Sequence, residues 1–171
     1  MPYPTLFLAD KAVAQFPGWS APEPETDYVW FNAPLEIGGV IEAGLVLHGG
    51  CYSRKPDKHV TLELIARSPG GRKMPLARID WRSPSGHTNQ RRAGSPVSGM
   101  RVSETHHHAF ELNWLEAERR IRRGNLPQAS EIEQEIQSFE SLRVFAGNQW
   151  RINNIAIVSV PPWAYDLFQD G

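Results

Sequence analysis

Val60, Leu62, Leu64 and Ala66 alternate with the polar Thr61 and Glu63 in the stretch 60–66. A period of two places the apolar set on one face of a strand and the polar set on the other. Ser68-Pro69-Gly70-Gly71 is a turn signal, and residues 74–82 return as the partner strand. Upstream, residues 28–37 are rich in aromatic and β-branched side chains and stop at Gly38-Gly39. Residues 40–53 read as a further strand, with a bulge or bend expected at Gly49-Gly50. Residues 54–58, containing Pro56, form a polar turn. Strands in this succession predict an antiparallel meander.

Other stretches change period. Leu6, Val13 and Phe16, with Leu8 beside them, predict a helix over 5–16 that Pro17-Gly18 stops, and 20–26 reads as a loop. Residues 83–99 are rich in Ser, Pro, Gly, Asn and Arg and predict a long loop, of the kind that is either functional or disordered. Residues 102–112 read as one more strand. A helix over 115–123 is expected from Glu116 and Arg120 at i,i+4. A second helix is expected from Ser130, where Ser130 and Glu133 have capping-box spacing. Ile132, Ile136, Phe139 and Phe145 would share its face, and Gly147-Asn148 would close it. Residues 150–160 read as a last strand, followed by Pro161-Pro162 and a tail over 161–171. The expected fold is α+β, one domain over 1–171, with residues 1–27 as an N-terminal helix and loop. A mainly antiparallel sheet of about five to six strands would carry two to three helices on one side.

The chain has 171 residues, 40% of them hydrophobic, with six Trp and seven Phe, enough for a core without staples. The single cysteine, Cys51, excludes an internal disulfide and a cysteine zinc cluster and reads as a half-buried strand thiol in a reducing compartment. No apolar run approaches the ~20 residues of a membrane span. Met1-Pro2-Tyr3-Pro4 has no basic region leading into an apolar stretch. A cytoplasmic protein without membrane contact is expected. Net charge is −1, but residues 67–101 hold eight basic residues and a single acid, Asp80, a local charge of +7. A stripe of that size attracts phosphates even on a near-neutral protein.

Three polar pairs stand at i,i+2: Arg78/Asp80, His87/Asn89 and His106/His108. If 74–82 and 102–112 pair, Arg78, Asp80, His106 and His108 share a face, and the loop carrying His87 and Asn89 folds over it. Two chemistries fit such a set. Histidines can act as acid and base on an RNA phosphodiester, with Asp80 orienting an imidazole and Arg78 clamping phosphate. Alternatively, His106, His108 and either His87 or Asp80 bind a divalent metal. Each pair also has an ordinary reading: a strand salt bridge for Arg78/Asp80, turn chemistry for His87-Thr88-Asn89. His48 and His59 read as ordinary strand and turn residues. His106-x-His108 followed by Glu111 matches only half of a cupin metal motif. The paired motifs of two-histidine phosphoesterases, a Walker loop and a dinucleotide glycine fingerprint are all missing.

The run Leu76-Ala77-Arg78-Ile79-Asp80, then Gly86-His87-Thr88-Asn89, then His106-His107-His108, then Asn153-Asn154-Ile155 after a helix, resembles an uncharacterised bacterial and phage-borne family. Its members read approximately LLRLD…PHxNPDG…HLHIY… and end in CNI. Its layout is similar to that of the TumE-type toxins of toxin–antitoxin pairs. This chain departs in three places. Gln90-Arg91-Arg92 stands for Pro-Asp-Gly, the aromatic slips to Phe110, and Asn153 replaces the cysteine. The resemblance implies mobile-element or defence biology and a toxin-like RNase.

The leading expectation is therefore a toxin-like, metal-independent ribonuclease without a cofactor. His106 and His108 would be acid/base, with His87 third, Asn89 beside it, Asp80 as orienter and Arg78 as clamp. Arg82, Arg91, Arg92 and Arg101 would hold the nucleic acid, RNA rather than DNA. An antitoxin partner and a homodimer are further expectations. The alternatives are a non-catalytic module binding nucleic acid or protein, and a metal-dependent enzyme with a His-x-His site. The arginines at 119, 120, 122 and 123 read as a solvated helix face or a partner surface.

Overall fold

The computed structural model describes residues 1–165. Its elements in chain order are α1 (Tyr3–Leu8), β1 (Ala12–Val13), β2 (Tyr28–Ile37), β3 (Val40–Tyr52), β4 (Val60–Arg67), β5 (Lys73–Trp81), β6 (His87–Thr88), β7 (Arg101–Val102), β8 (His106–His108), α2 (Phe110–Asn113), β9 (Trp114–Leu115), β10 (Arg120–Ile121), β11 (Ser130–Glu131) and α3 (Phe139–Trp150). A 3₁₀ turn at Ile155–Ile157 follows. The main sheet has seven strands, more than expected, in the order β1-β2-β3-β4-β5-β8-β11. Every pairing in it is antiparallel. The fold is α+β, and β2 to β5 form the expected meander.

Register decides what each face carries. Phe31, Gly49, Leu62, Ile79 and His107 line up across five strands. That row faces the core, where Phe139, Leu142, Phe145, Ala146 and Trp150 of α3 are buried. The next residue along each strand points the other way. Two rows result on the opposite face: Trp30, Gly50, Thr61, Asp80, His106 and Glu131; and Asn32, His48, Glu63, Arg78 and His108. The alternation of Val60, Leu62 and Leu64 with Thr61 and Glu63 is therefore the alternation between core and site.

Several expected elements are corrected. The helix over 5–16 ends at Leu8. Lys11, buried, turns its Nζ back to donate to the carbonyls of Phe7 and Ala9 at 2.7 and 2.6 Å. It thereby satisfies groups that a continuing helix would have used, and Ala12–Val13 joins the sheet edge. The glycines Gly49 and Gly50 make no bulge, since pairing runs through both. Rings lie over them instead: a Cβ at Gly49 would sit 2.2 Å from Phe31 Cε1, and one at Gly50 1.8 Å from Tyr28 Oη. The register shifts fall at Pro34/Glu36 and Leu64/Ile65.

Residues 102–112 are not one strand but β7, β8 and the short helix α2. Glu131 draws Ser103 aside, its two oxygens accepting from the Ser103 amide and hydroxyl, both at 2.6 Å. Residues 115–123 are the β9–β10 hairpin rather than a helix, with Arg119 in the left-handed region. Glu116 accepts from Trp114 Nε1, and Arg120 pairs with Glu118, so the i,i+4 pair is not used.

Ser130 opens strand β11, not a helix. The capping box forms at Ser138 with Ser141, and α3 begins there. Of the four residues expected on one helical face, Ile136, Phe139 and Phe145 are buried, but only the last two are helical. Gly147 lies inside α3, where a Cβ would meet Ile155 at 2.7 Å; the helix ends at Trp150 with Arg151 left-handed. Residues 150–160 therefore form no strand. Cys51 is fully buried rather than half-buried, and burial pushes its thiol up to about 12, so it is inert. In the tail, Trp163 is buried, and residues 166–171 lie outside the described residues.

Candidate functional site

The antiparallel register between β5 and β8 pairs Arg78 with His108 and Asp80 with His106. Two i,i+2 pairs thus meet in one square on the polar face. The long loop folds over it as expected. Its β6 pairs with β7, and the His87 ring comes within 5.7 Å of the His106 centroid and 4.7 Å of the His108 centroid. The two histidines of the square are buried, His106 3% exposed and His108 0%, while Arg78 and Asp80 are half-buried.

Backbone carbonyls fix the tautomers, since a carbonyl only accepts. His108 Nδ1–H donates to Leu126 O at 2.6 Å, His106 Nδ1–H to Ser103 O at 2.7 Å, and His87 Nε2–H to Pro127 O at 3.1 Å. The remaining nitrogens differ in company. His108 Nε2 accepts from Arg78 Nη2 at 2.8 Å, so both of its nitrogens are engaged. Burial pushes His108 down to about 4, with the Arg78 charge adding to this against the pull of Asp80, and the ring is neutral at pH 7. His106 Nε2 lies 3.3 Å from Asp80 Oδ2. With Nδ1 turned to Ser103 O, His106 presents Nε2 to the carboxylate, and His108 Nε2 lies at 3.4 Å from the same oxygen. His87 Nδ1 has no hydrogen-bond partner among the described residues.

Asp80 is the hub. Its Oδ1 accepts from Thr61 Oγ1 at 2.8 Å and its Oδ2 from Arg78 Nε at 3.0 Å. Burial alone would raise its carboxyl, but His106, His108, Arg78 and Thr61 outweigh burial and hold it far below the ordinary carboxylate range. Glu63, 4.0 Å from Arg78 Nη1, is raised by burial, which the Arg78 charge opposes and the Asp80 charge reinforces. Thr61 and Glu63 were not singled out from sequence. The signal was available: both occupy the polar phase of the 60–66 alternation, and the 68–71 turn brings that phase beside Arg78 and Asp80.

The other expected site residues lie apart from this square. Asn89 is a clamp. Its amide donates to Val97 O and Ala129 O at 2.9 and 2.8 Å, and its Oδ1 accepts from Ala129 N at 2.7 Å. With every group committed, it fixes the roof and has none left for a substrate. Arg82 lies over the Trp81 ring, 4.6 Å from its centroid, and donates to Asp57 O. Arg92 bonds Gln90, and Arg101 donates to Thr88 Oγ1 at 3.3 Å. Arg91, Arg92 and Arg101 are exposed on the outer loop, and none lines the cleft described next.

Arg78, Asp80, His87 and His106 line one wall of an open cleft of about 620 Å³. Tyr28, Tyr52 and His59 line it further along, so His59, expected to be an ordinary turn residue, belongs to the site region. Among the described residues, no helix is long and apolar enough to cross a membrane.

A cation could be held by Asp80, His106 and His108, whose ligand atoms lie within 4.8 Å of one another. Nδ1–H donation to backbone carbonyls is also how metal-bound imidazoles are oriented. Against this, the Arg78 guanidinium already donates to two of the three ligand atoms, Asp80 Oδ2 and His108 Nε2. Comparison of the chain with protein-family models, curated proteins and solved structures finds no match.

Proposed function

We propose that the centre is a metal-independent acid–base site for phosphodiester cleavage in RNA. The observation that carries this reading is the different company of two neighbouring imidazole nitrogens: His106 Nε2 faces the Asp80 carboxylate at 3.3 Å, while His87 Nδ1 beside it has no hydrogen-bond partner among the described residues. One imidazolium and one free imidazole nitrogen are what the reaction needs. His87 Nδ1 takes the proton of the ribose 2′-hydroxyl. The 2′-oxygen attacks phosphorus, and the bond to the 5′-oxygen breaks. His106 Nε2–H gives that oxygen its proton, leaving a 2′,3′-cyclic phosphate and a 5′-hydroxyl. At 3.3 Å the His106–Asp80 contact is long for a charge-assisted hydrogen bond, so the proton can be shared with an incoming oxygen. Arg78, held by Asp80 and His108, offers its guanidinium to the non-bridging phosphate oxygens. His108, with both nitrogens engaged, positions Arg78 and is not the acid or base that its sequence position suggested.

A second reading, a divalent-metal hydrolase, is favoured by the convergence of Asp80, His106 and His108. It requires Arg78 to release two of those three groups. The resemblance to TumE-type toxins supports a cytoplasmic, toxin-like role with an antitoxin partner. Induction in bacteria tests the first reading: wild type should arrest growth with fragmented RNA, and His106→Ala or His87→Ala should do neither. Arrest that persists with intact RNA, or unchanged in both variants, would remove it.

A further inference from the structure

Beyond the reacting centre, the cleft runs to an aromatic end. Tyr28 and Tyr52 are direct cross-strand neighbours, with ring centroids 5.4 Å apart at 65°. His59 stands edge-on to Tyr52 at 5.9 Å. All three are half-buried and line the cleft. Gly50 lets the Tyr28 side chain lie across β3, because a Cβ there would sit 1.8 Å from its hydroxyl. Three rings left partly open at one end of a polar cleft form a surface on which a planar ring can stack.

The charges flanking those rings set an orientation. Lys55 Nζ sits over the Tyr52 ring at 4.8 Å, and the Lys55 and Lys58 charges bear on His59. Both lysines are exposed. The turn that carries them holds Asp57 and His59 in the left-handed region, φ 58° and 56°. Two such residues in three positions fix the turn in a conformation that non-glycine residues rarely adopt. Glu23 closes the same end, accepting from Thr26 Oγ1 at 2.9 Å. A carboxylate there repels phosphate and suits the N–H donors of a base edge. Cations therefore accompany the rings, Arg78 in the same cleft and Lys55 over Tyr52 with Lys58 near His59, and the Glu23 carboxylate lines the cleft as well.

We infer that the substrate is single-stranded RNA, bound with one unpaired nucleobase on the Tyr28–Tyr52–His59 surface, one adjoining phosphate at Arg78 and the next near Lys55 and Lys58. This rests on the acid–base reading above and names the strand form that it acts on. A base inside a duplex has both faces stacked and cannot enter.

The test is fluorescence-anisotropy binding of the full chain to a labelled six-nucleotide RNA, to the same strand in a duplex, and to a six-unit abasic ribose-phosphate strand. Tyr52→Ala should weaken binding of the single strand about tenfold, with Tyr52→Phe within about twofold of wild type. The duplex and the abasic strand should bind weakly and be insensitive to Tyr52→Ala. A single strand bound equally well by wild type and Tyr52→Ala would overturn the base subsite and leave the acid–base reading standing. Failure of every RNA to bind would overturn both. Matching thermal melts for Tyr52→Phe and Tyr52→Ala separate lost stacking from lost fold.

Discussion

His107 lies between two site histidines in sequence and on the other side of the sheet in space. Its Nε2 accepts from Trp150 Nε1 at 3.3 Å, and its ring packs edge-on to Phe145. Burial, with the His108 charge adding to it, pushes it down to about 4. The folded-state value is below the unfolded one, so between pH 6.5 and about 4 the unfolded chain binds a proton that the folded chain refuses. Stability therefore falls as pH drops through that window, by up to about 1.4 kcal/mol per pH unit for this residue. His108, also near 4, acts in the same direction. His107→Gln keeps an acceptor for Trp150 but cannot titrate. Thermal melts from pH 7 to 5 should show a shallower decline in that variant than in wild type, and parallel declines would contradict the assignment. Asp80 acts in the same direction at lower pH: its carboxyl is depressed, so its contribution is complete at neutral pH and is lost only as pH falls below the ordinary carboxylate range.

At the scale of elements, the meander and the polar square were legible because strand alternation is read directly from sequence. A period of two over 60–66 and a turn at 68–71 already fix which side chains share a face. What was not legible depended on partners far along the chain. Residues 115–123 have helical spacing, yet Trp114–Leu115 and Arg120–Ile121 pair as a hairpin. Ser130 and Glu133 have the spacing of a cap, but pairing with His106 and His107 takes Ser130–Glu131 into the sheet. Tertiary pairing overrode local propensity in both cases. The glycine pair is the clearest instance: Gly49-Gly50 reads as an interruption, whereas the structure uses it to admit one ring on each face. Gly49→Ala forces the buried Phe31 ring to move, and a loss of about 1 to 3 kcal/mol is expected in chemical denaturation. An unchanged midpoint would mean that the ring swings aside freely.

For the whole molecule, the arginines expected to meet phosphate fall into two populations. Arg78 is held inside the site, and Arg82 on Trp81 and Asp57 O. Arg91, Arg92 and Arg101 are exposed on the outer loop, available to a long strand beyond the cleft. Replacing Arg91 and Arg92 together with Ala should weaken single-stranded RNA binding uniformly across sequences and reduce the slope of log K against log salt by about 1 to 2. An unchanged slope would make them solvated loop charges. The proposed chemistry rests instead on four side chains, Arg78, Asp80, His87 and His106, brought together by one strand pairing and one roofing loop.

The central claim is that His87 and His106 exchange protons with RNA without a metal. The most direct measurement is cleavage of a labelled single-stranded RNA by purified protein in excess EDTA, beside His87→Ala and His106→Ala. The account predicts cleavage by wild type under chelation, leaving 2′,3′-cyclic phosphate ends, and a loss of about a hundredfold or more in either variant. Cleavage that stops with EDTA and returns with a divalent cation would contradict it and assign Asp80, His106 and His108 to a metal instead.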